Sequence, residues 1–384
     1  KTPFYLYSEN QIINNFLKFK KVFKKTNPLI CFAAKSNSNV SILKTLGKLG
    51  AGTDVVSGGE LLKALKAGIK PKKVVFSGVG KNEDELRIAI NKKILLINCE
   101  SESEAKLIDK IARKLRKKVS IGFRLNPNID AKTHQKISTG KAENKFGLSI
   151  KNFKSFYKSI TKYKNIKLDA LSVHIGSQIL SDVPYKKMLN VMSNLIKELK
   201  LDLKFLDLGG GFGIRYNEKD KPINLKKYSD SVIKLAKKLK CKIIFEPGRS
   251  IVGDTGILLS KIQYIKKGAK KDFIIIDAGM NDFMRPALYD AVHKIIPIRK
   301  SKSKLKGTIE FVGPICESTC KFGSYKNYQK ISENDFVAIT NVGAYGSSLS
   351  SNYNSRPLIA ELLVNKNKIK YIKKKQDLLK LINS

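Results

Sequence analysis

Five short stretches of this chain place reactive or anion-binding residues directly after apolar runs. They are Ala33-Ala34-Lys35-Ser36-Asn37, Phe123-Arg124-Leu125-Asn126-Pro127, Val173-His174-Ile175-Gly176-Ser177-Gln178, Asp207-Leu208-Gly209-Gly210-Gly211-Phe212-Gly213 and Phe245-Glu246-Pro247-Gly248-Arg249. A lysine in an enclosed, anion-lined pocket suits Schiff-base chemistry, because desolvation and nearby cations favour its neutral amine. A Gly-Gly-Gly run at a turn lets backbone N–H groups close on a phosphate. No acid follows that run at the dinucleotide spacing, so a nicotinamide cofactor is disfavoured. Each feature alone has a bland reading: a solvated lysine, a satisfied buried histidine, a tight turn. Their convergence is what makes a site.

The elements that must carry these residues are legible as continuous apolar runs of four to seven residues at 29–34, 53–56, 73–76, 94–98, 119–125, 168–174, 205–208 and 242–246. Such runs suit strands buried on both faces. Helical patterns separate them, as at 59–68 and at 101–117, which opens on Ser-x-Ser-Glu capping material. Eight strands alternating with helices predict an α/β fold, a (β/α)8 TIM-like barrel over residues 11–255, with a doubly wound sheet as the alternative. Each chemistry-bearing stretch then falls at a strand's C-terminal end, the face on which such barrels build their sites. Residues 256–384 alternate in short segments (257–265, 273–277, 308–312, 336–340, 358–364) and predict an all-β domain, with residues 1–10 supplying one more strand to it.

The chain has 384 residues and a net charge of +43. Nine Arg stand against 66 Lys, spread as pairs and triples along the whole length. That disperses the charge and lacks the Arg that groove readers use, so no nucleic-acid partner is expected. It also makes each retained Arg worth a reason. No apolar run is long enough to span a membrane. The opening Lys1-Thr2-Pro3-Phe4-Tyr5-Leu6-Tyr7 is too polar for an export signal, and the absence of an initiating Met implies trimming there. Five cysteines, an odd number, fit a reducing cytoplasm, and Cys316 and Cys320 lack metal-site spacing. A phosphate nest at Gly209–Gly211, a stacking imidazole at His174 and a carboxylate at Glu246 for a ring nitrogen, with Lys35, together suit pyridoxal phosphate.

As an ordered set, Ala34-Lys35-Ser36-Asn37, His174-Ile175-Gly176-Ser177, Gly209-Gly210-Gly211, Glu246-Pro247-Gly248-Arg249, Cys316-Glu317-Ser318 and Gly343-Ala344-Tyr345 resemble the barrel-type pyridoxal-phosphate-dependent amino-acid decarboxylases. The likeness covers nearly the whole chain and is strongest to the branch acting on diaminopimelate. It implies that Lys35 carries the cofactor and that His174 lies against its ring. It further implies that Glu246 meets the pyridine nitrogen. Ser177, Gly209, Gly210, Gly211, Pro247, Gly248, Arg249 and Tyr345 would form the phosphate cradle. Cys316 would be the catalytic acid, crossing from a partner subunit in a homodimer with shared active sites. Met284-Arg285-Pro286-Ala287-Leu288-Tyr289 resembles the segment that reads a distal carboxylate. Arg249, Arg285, Tyr289, Glu317 and Tyr345 would bind substrate. Two Arg and one Glu suit the zwitterionic end of meso-2,6-diaminopimelate, giving L-lysine and CO2 as the last step of lysine biosynthesis. Ornithine, arginine or carboxynorspermidine decarboxylation, and a catalytically inert relative, are the alternatives. One departure stands out. Cys320 occupies a position where the family carries an acid that pairs with the Lys of Lys145-Phe146-Gly147. Dimer contacts are then expected to rest more on residues 352–357.

Overall fold

The computed structural model describes every residue except Lys132, Ser138 and Ser384, and the backbone alone at Gln135. The described residues form two compact units. One joins Ile13–Gly213 with Lys221–Ser250; the other joins Lys1–Ile12, Ile214–Asp220 and Ile251–Ser384.

A first strand, β1 (Phe4–Ser8), belongs to the second unit. The first unit is built from β2 (Leu29–Ala33), β3 (Gly52–Val55), β4 (Val74–Phe76), β5 (Leu96–Cys99), β6 (Val119–Asn126), β7 (Leu148–Ser149), β8 (Ile166–Val173), β9 (Phe205–Asp207) and β10 (Lys242–Phe245). These strands run parallel in the order β5-β4-β3-β2-β10-β9-β8-β6, and β6 pairs back onto β5, so eight strands close into a barrel. The two-residue β7 adds to the open end of β6. Leu29, Cys31, Val75, Leu96, Ala170 and Ile244 form one buried apolar cluster on the barrel strands. Parallel strands covered on both faces must be apolar throughout, which is why the runs read so clearly.

Helices cover the barrel, several of them started by a local side-chain cap. Ser57 accepts from Glu60 N before Gly58–Lys66. Asn82 and Glu85 form a reciprocal capping box before Glu83–Asn91. Ser101 accepts from Glu104 N before Glu102–Lys114. Phe19, Phe23, Tyr185, Phe212, Tyr228 and Phe245 lock helices to strands through ring contacts with centroids 4.3–6.3 Å apart.

The second unit is mostly strand: β1 with β11 (Gly256–Lys266), β12 (Asp272–Ile276), β13 (Ile295–Pro297), β14 (Thr308–Val312), β15 (Lys321–Lys326), β16 (Phe336–Ile339), β17 (Ala360–Asn365) and β18 (Lys368–Lys373). Its sheet runs β15-β14-β12-β11-β1-β17-β18, with β16 joining β11 to β13. The early strand β1 therefore sits inside the sheet, antiparallel to β11 (Phe4 opposite Leu259) and parallel to β17 (Phe4 opposite Ala360). The fold class read from sequence, a (β/α)8 barrel with a β domain, is the one observed. Residues 214–220 lie between barrel elements in sequence yet group with the second unit. There the Asn341 Nδ2 donates to the Arg215 carbonyl at 3.2 Å, and Arg285 lies 4.6 Å above the Tyr216 ring. No helix among the described residues is long and apolar enough to cross a membrane.

Candidate active site

Lys35 follows β2 on the short turn Ala34–Ser36, which the Ser36 hydroxyl pins by donating to the Ala33 carbonyl at 2.7 Å. Its Nζ lies 2.6 Å from Asp54 Oδ2 at the end of β3. The lysine side chain is 33% exposed, so it reaches the barrel mouth, whereas Asp54 is fully buried. The other Asp54 oxygen, Oδ1, is buried without a hydrogen bond among the described residues.

Glu246 follows β10 and is buried, with the Ser77 hydroxyl 3.4 Å from Oε1. Beside it, Asp207 ends β9. Asp207 Oδ1 accepts from Gly209 N at 3.0 Å, and Oδ2 accepts from Asn98 Nδ2 at 3.0 Å and from the Ser172 hydroxyl at 3.3 Å. Burial pushes the Glu246 carboxyl well above its ordinary range, and the Asp207 and Asp54 charges push it further, against the opposing pull of Lys35. With three donors, Asp207 is the better home for the negative charge, so the proton of the pair sits on Glu246. Among the described residues the Ser77 hydroxyl is the only hydrogen-bond donor to this carboxyl.

His174 ends β8. Gly210 N donates to its Nδ1 at 3.1 Å, which fixes the second nitrogen, Nε2, as the protonated one. Burial holds its pKa well below 6.5, and the Arg124 and Lys35 charges add to that. The ring is therefore neutral. The glycine run behind it is sterically obligatory. Gly209 has φ +63°, and a Cβ on Gly210 would come within 2.0 Å of the Glu246 carbonyl oxygen. Tyr185 holds the run from outside by donating to the Gly210 carbonyl at 2.8 Å. Arg249, 5% exposed, donates from Nη2 to Ser177 Oγ at 3.0 Å. Gly248 packs on Ser36, and the Pro247 carbonyl accepts from Ala33 N at 3.1 Å. The first unit thus gathers Lys35, His174, Ser177, Gly209, Gly210, Gly211, Glu246, Pro247, Gly248 and Arg249 on the strand ends of one barrel.

The remaining sequence candidates belong to the second unit. Arg285 opens the short helix Arg285–Tyr289, with Pro286 in its first turn. Asp282 shapes the approach by accepting from Gly279 N at 2.9 Å. Arg285 is 6% exposed and donates from Nη1 to the Tyr216 hydroxyl at 2.8 Å and to His293 Nε2 at 3.0 Å. Tyr289, at the other end of the helix, is half-buried. Cys316 is exposed, and its thiol donates to Asn354 Oδ1 at 3.5 Å. Glu317 accepts from the Tyr353 hydroxyl at 2.6 Å, which raises the Tyr353 pKa. Tyr345 sits at φ +56°, a region bulky side chains seldom enter. Cys320 is buried, accepts from Met280 N at 3.3 Å, and has its thiol pKa raised by burial. Lys145 lies 5.5 Å above the Phe146 ring.

Sequence reasoning gave no role to Asp54, Ser77, Asn98 or Asp207, although each is a polar residue at the end of a barrel strand and could have been singled out on that ground. Tyr216 and His293 carried no such signal. Tyr216 lies 69 residues from its partner Arg285, and His293, eight residues from it, lies beyond the end of that short helix.

Residues 9–253 match the pyridoxal-binding domain of the pyridoxal-dependent decarboxylases, the class that this barrel and its rim residues define. The chain is 42% identical to the diaminopimelate decarboxylase of Aquifex aeolicus, over 98% of this chain and 90% of that one. It is 45% identical to that of Helicobacter pylori strain J99, over 98% and 94%. The crystal structure of Helicobacter pylori diaminopimelate decarboxylase complexed with L-lysine matches with a TM-score of 0.94 at 44% identity, covering 100% of this chain and 96% of that one. The chain belongs to the diaminopimelate decarboxylase family.

The cofactor of this class, pyridoxal phosphate, fits the residues present. An amine reaches the mouth, and a neutral imidazole, a glycine turn and a buried Arg stand on the same rim. Among the described residues the buried Glu246 carboxyl has one hydrogen-bond donor, the Ser77 hydroxyl, which leaves it capacity for a ring nitrogen.

Proposed function

We infer that this chain converts meso-2,6-diaminopimelate to L-lysine and CO2 with pyridoxal phosphate as cofactor. One observation carries the reading: the Lys35 amine, held 2.6 Å from Asp54, and the buried Glu246 carboxyl both follow strands at the same rim of one closed barrel. When bound, the cofactor supplies an electron sink for the carbanion left as CO2 departs.

The residues prepare for that sink. Asp54 orients the Lys35 amine that would hold the cofactor. Glu246 would face the ring nitrogen and, with the Asp207 charge behind it, keep that nitrogen protonated. His174 would lie flat against the ring, its tautomer set by Gly210. Gly209, Gly210, Gly211, Ser177, Gly248, Arg249 and Tyr345 would hold the phosphate. Arg285 and Arg249 would clamp the distal carboxylate, with Tyr289 donating to it and Glu317 meeting the distal ammonium. Cys316 would deliver a proton from Sγ to the carbon that loses CO2. The enzyme would act in the cytoplasm as a homodimer whose active sites draw on both copies. Exposure of Cys316 and Glu317 on one loop is the feature that suits such sharing.

The test is a visible spectrum of the purified protein before and after borohydride, followed by peptide mapping and product analysis. Cofactor absorbance, reduction onto Lys35, and lysine with CO2 from diaminopimelate are expected. No cofactor band, or turnover of ornithine in place of diaminopimelate, would overturn the reading.

A further inference from the structure

The Arg285 guanidinium is buried in the second unit, and its surroundings dictate how it can be used. Both hydrogens of Nη1 have acceptors: the Tyr216 hydroxyl at 2.8 Å and His293 Nε2 at 3.0 Å. Arginine can only donate, so Nε2 must present its lone pair. The other ring nitrogen, Nδ1, lies 2.8 Å from the Thr340 carbonyl, which can only accept, so Nδ1 carries the proton. The two neighbours together allow one state of His293, the neutral ring with hydrogen on Nδ1. That ring is 1% exposed and wedged edge-on between Phe283 (centroids 4.7 Å) and Tyr216 (5.1 Å). Tyr216 also lies beneath the guanidinium at 4.6 Å. The plane of Arg285 is thus fixed in tilt by the Tyr216 face and in rotation by two acceptors on one nitrogen. A guanidinium held in that plane can meet a planar anion in the fork geometry that favours carboxylates.

We propose that His293 is a positioning residue for substrate selection: its Thr340-locked tautomer aims Arg285 so that the guanidinium reads the distal carboxylate. The proposal rests on the reading of Arg285 given above. It assigns His293 no contact with substrate, and its effect should fall on the substrate's distal end.

The two amide side chains separate the functions of the imidazole. Gln at 293 can set an acceptor oxygen near the place of Nε2, keeping the Arg285 bond. Asn can set a donor near the place of Nδ1, keeping the Thr340 bond while removing the acceptor. In the cofactor-loaded enzyme, His293→Asn should raise KM for diaminopimelate about tenfold or more with kcat changed little, the size expected for a lost bond to a charged group. His293→Gln should stay within about threefold of the parent. L-Lysine keeps the distal carboxylate and cadaverine lacks it. Calorimetric binding of L-lysine should therefore weaken in His293→Asn, while cadaverine inhibition stays constant. Equal effects of Asn and Gln, or equal weakening of lysine and cadaverine, would overturn the proposal. Arg285→Gln separates the two layers. If it leaves KM and lysine binding unchanged, the carboxylate reading of Arg285 is wrong. If it weakens both and His293→Asn does neither, the positioning role alone is wrong.

Discussion

Glu246 shows how burial decides chemistry. Its carboxyl is pushed up by desolvation first and by Asp207 second, so the folded, cofactor-free chain keeps a proton that the unfolded chain releases above about pH 4.5. Its sign follows directly: with the folded pKa raised, this group's contribution falls as pH rises from 4.5 through the folded value. Denaturant titrations of cofactor-free protein should show that slope, and Glu246→Gln should flatten it. In the loaded enzyme the same substitution should cut kcat by up to about a thousandfold, since an ion pair near 4 Å is worth roughly 4 kcal/mol at an effective dielectric near 20. Steady-state kinetics checks this. Lys35, His174 and Glu246 could be picked out because each interrupts or ends an apolar run. Asp207 and Asp54 end such runs too, but a carboxylate at a strand end reads equally well as a solvated cap. Only the folded barrel shows that both are buried and face the amine and Glu246. His293 was the least accessible to sequence reasoning, because what it does depends on Arg285, Tyr216 and Thr340 meeting in space.

The glycine run after β9 ties two barrel strands to the site. A methyl group on residue 210 would strike the backbone oxygen of Glu246 at 2.0 Å, and backbone yields less readily than a side chain. Gly210→Ala should therefore cost about 1–3 kcal/mol, read as a lowered unfolding midpoint, together with loss of cofactor during purification. The barrel strands were legible because apolarity on both faces leaves few other readings. β13, β15 and β18 were not: Lys368-Ile369-Lys370-Tyr371-Ile372-Lys373 alternates with lysine and lies on the exposed edge next to β17, where pairing rather than burial makes the strand. Likewise β7 has only two residues and too little pattern to read.

The whole chain carries +43, and its thirteen described ion pairs engage few of its 66 lysines. Self-repulsion of that size should weaken as salt shortens the screening length from about 30 Å near 0.01 M to about 8 Å near 0.15 M. Thermal unfolding of the loaded enzyme should shift upward across that range, and a downward shift would show that surface ion pairs outweigh the repulsion. The placement of β1 has a separate consequence. Its two neighbours, β11 and β17, are specified by codons read long after its own, so on the ribosome Phe4–Ser8 must wait unpaired while the barrel sequence emerges. The β unit can close only after residues 360–365 have emerged, and a nascent chain halted before residue 360 would expose one flank of that early strand to chaperones or to neighbouring polypeptides.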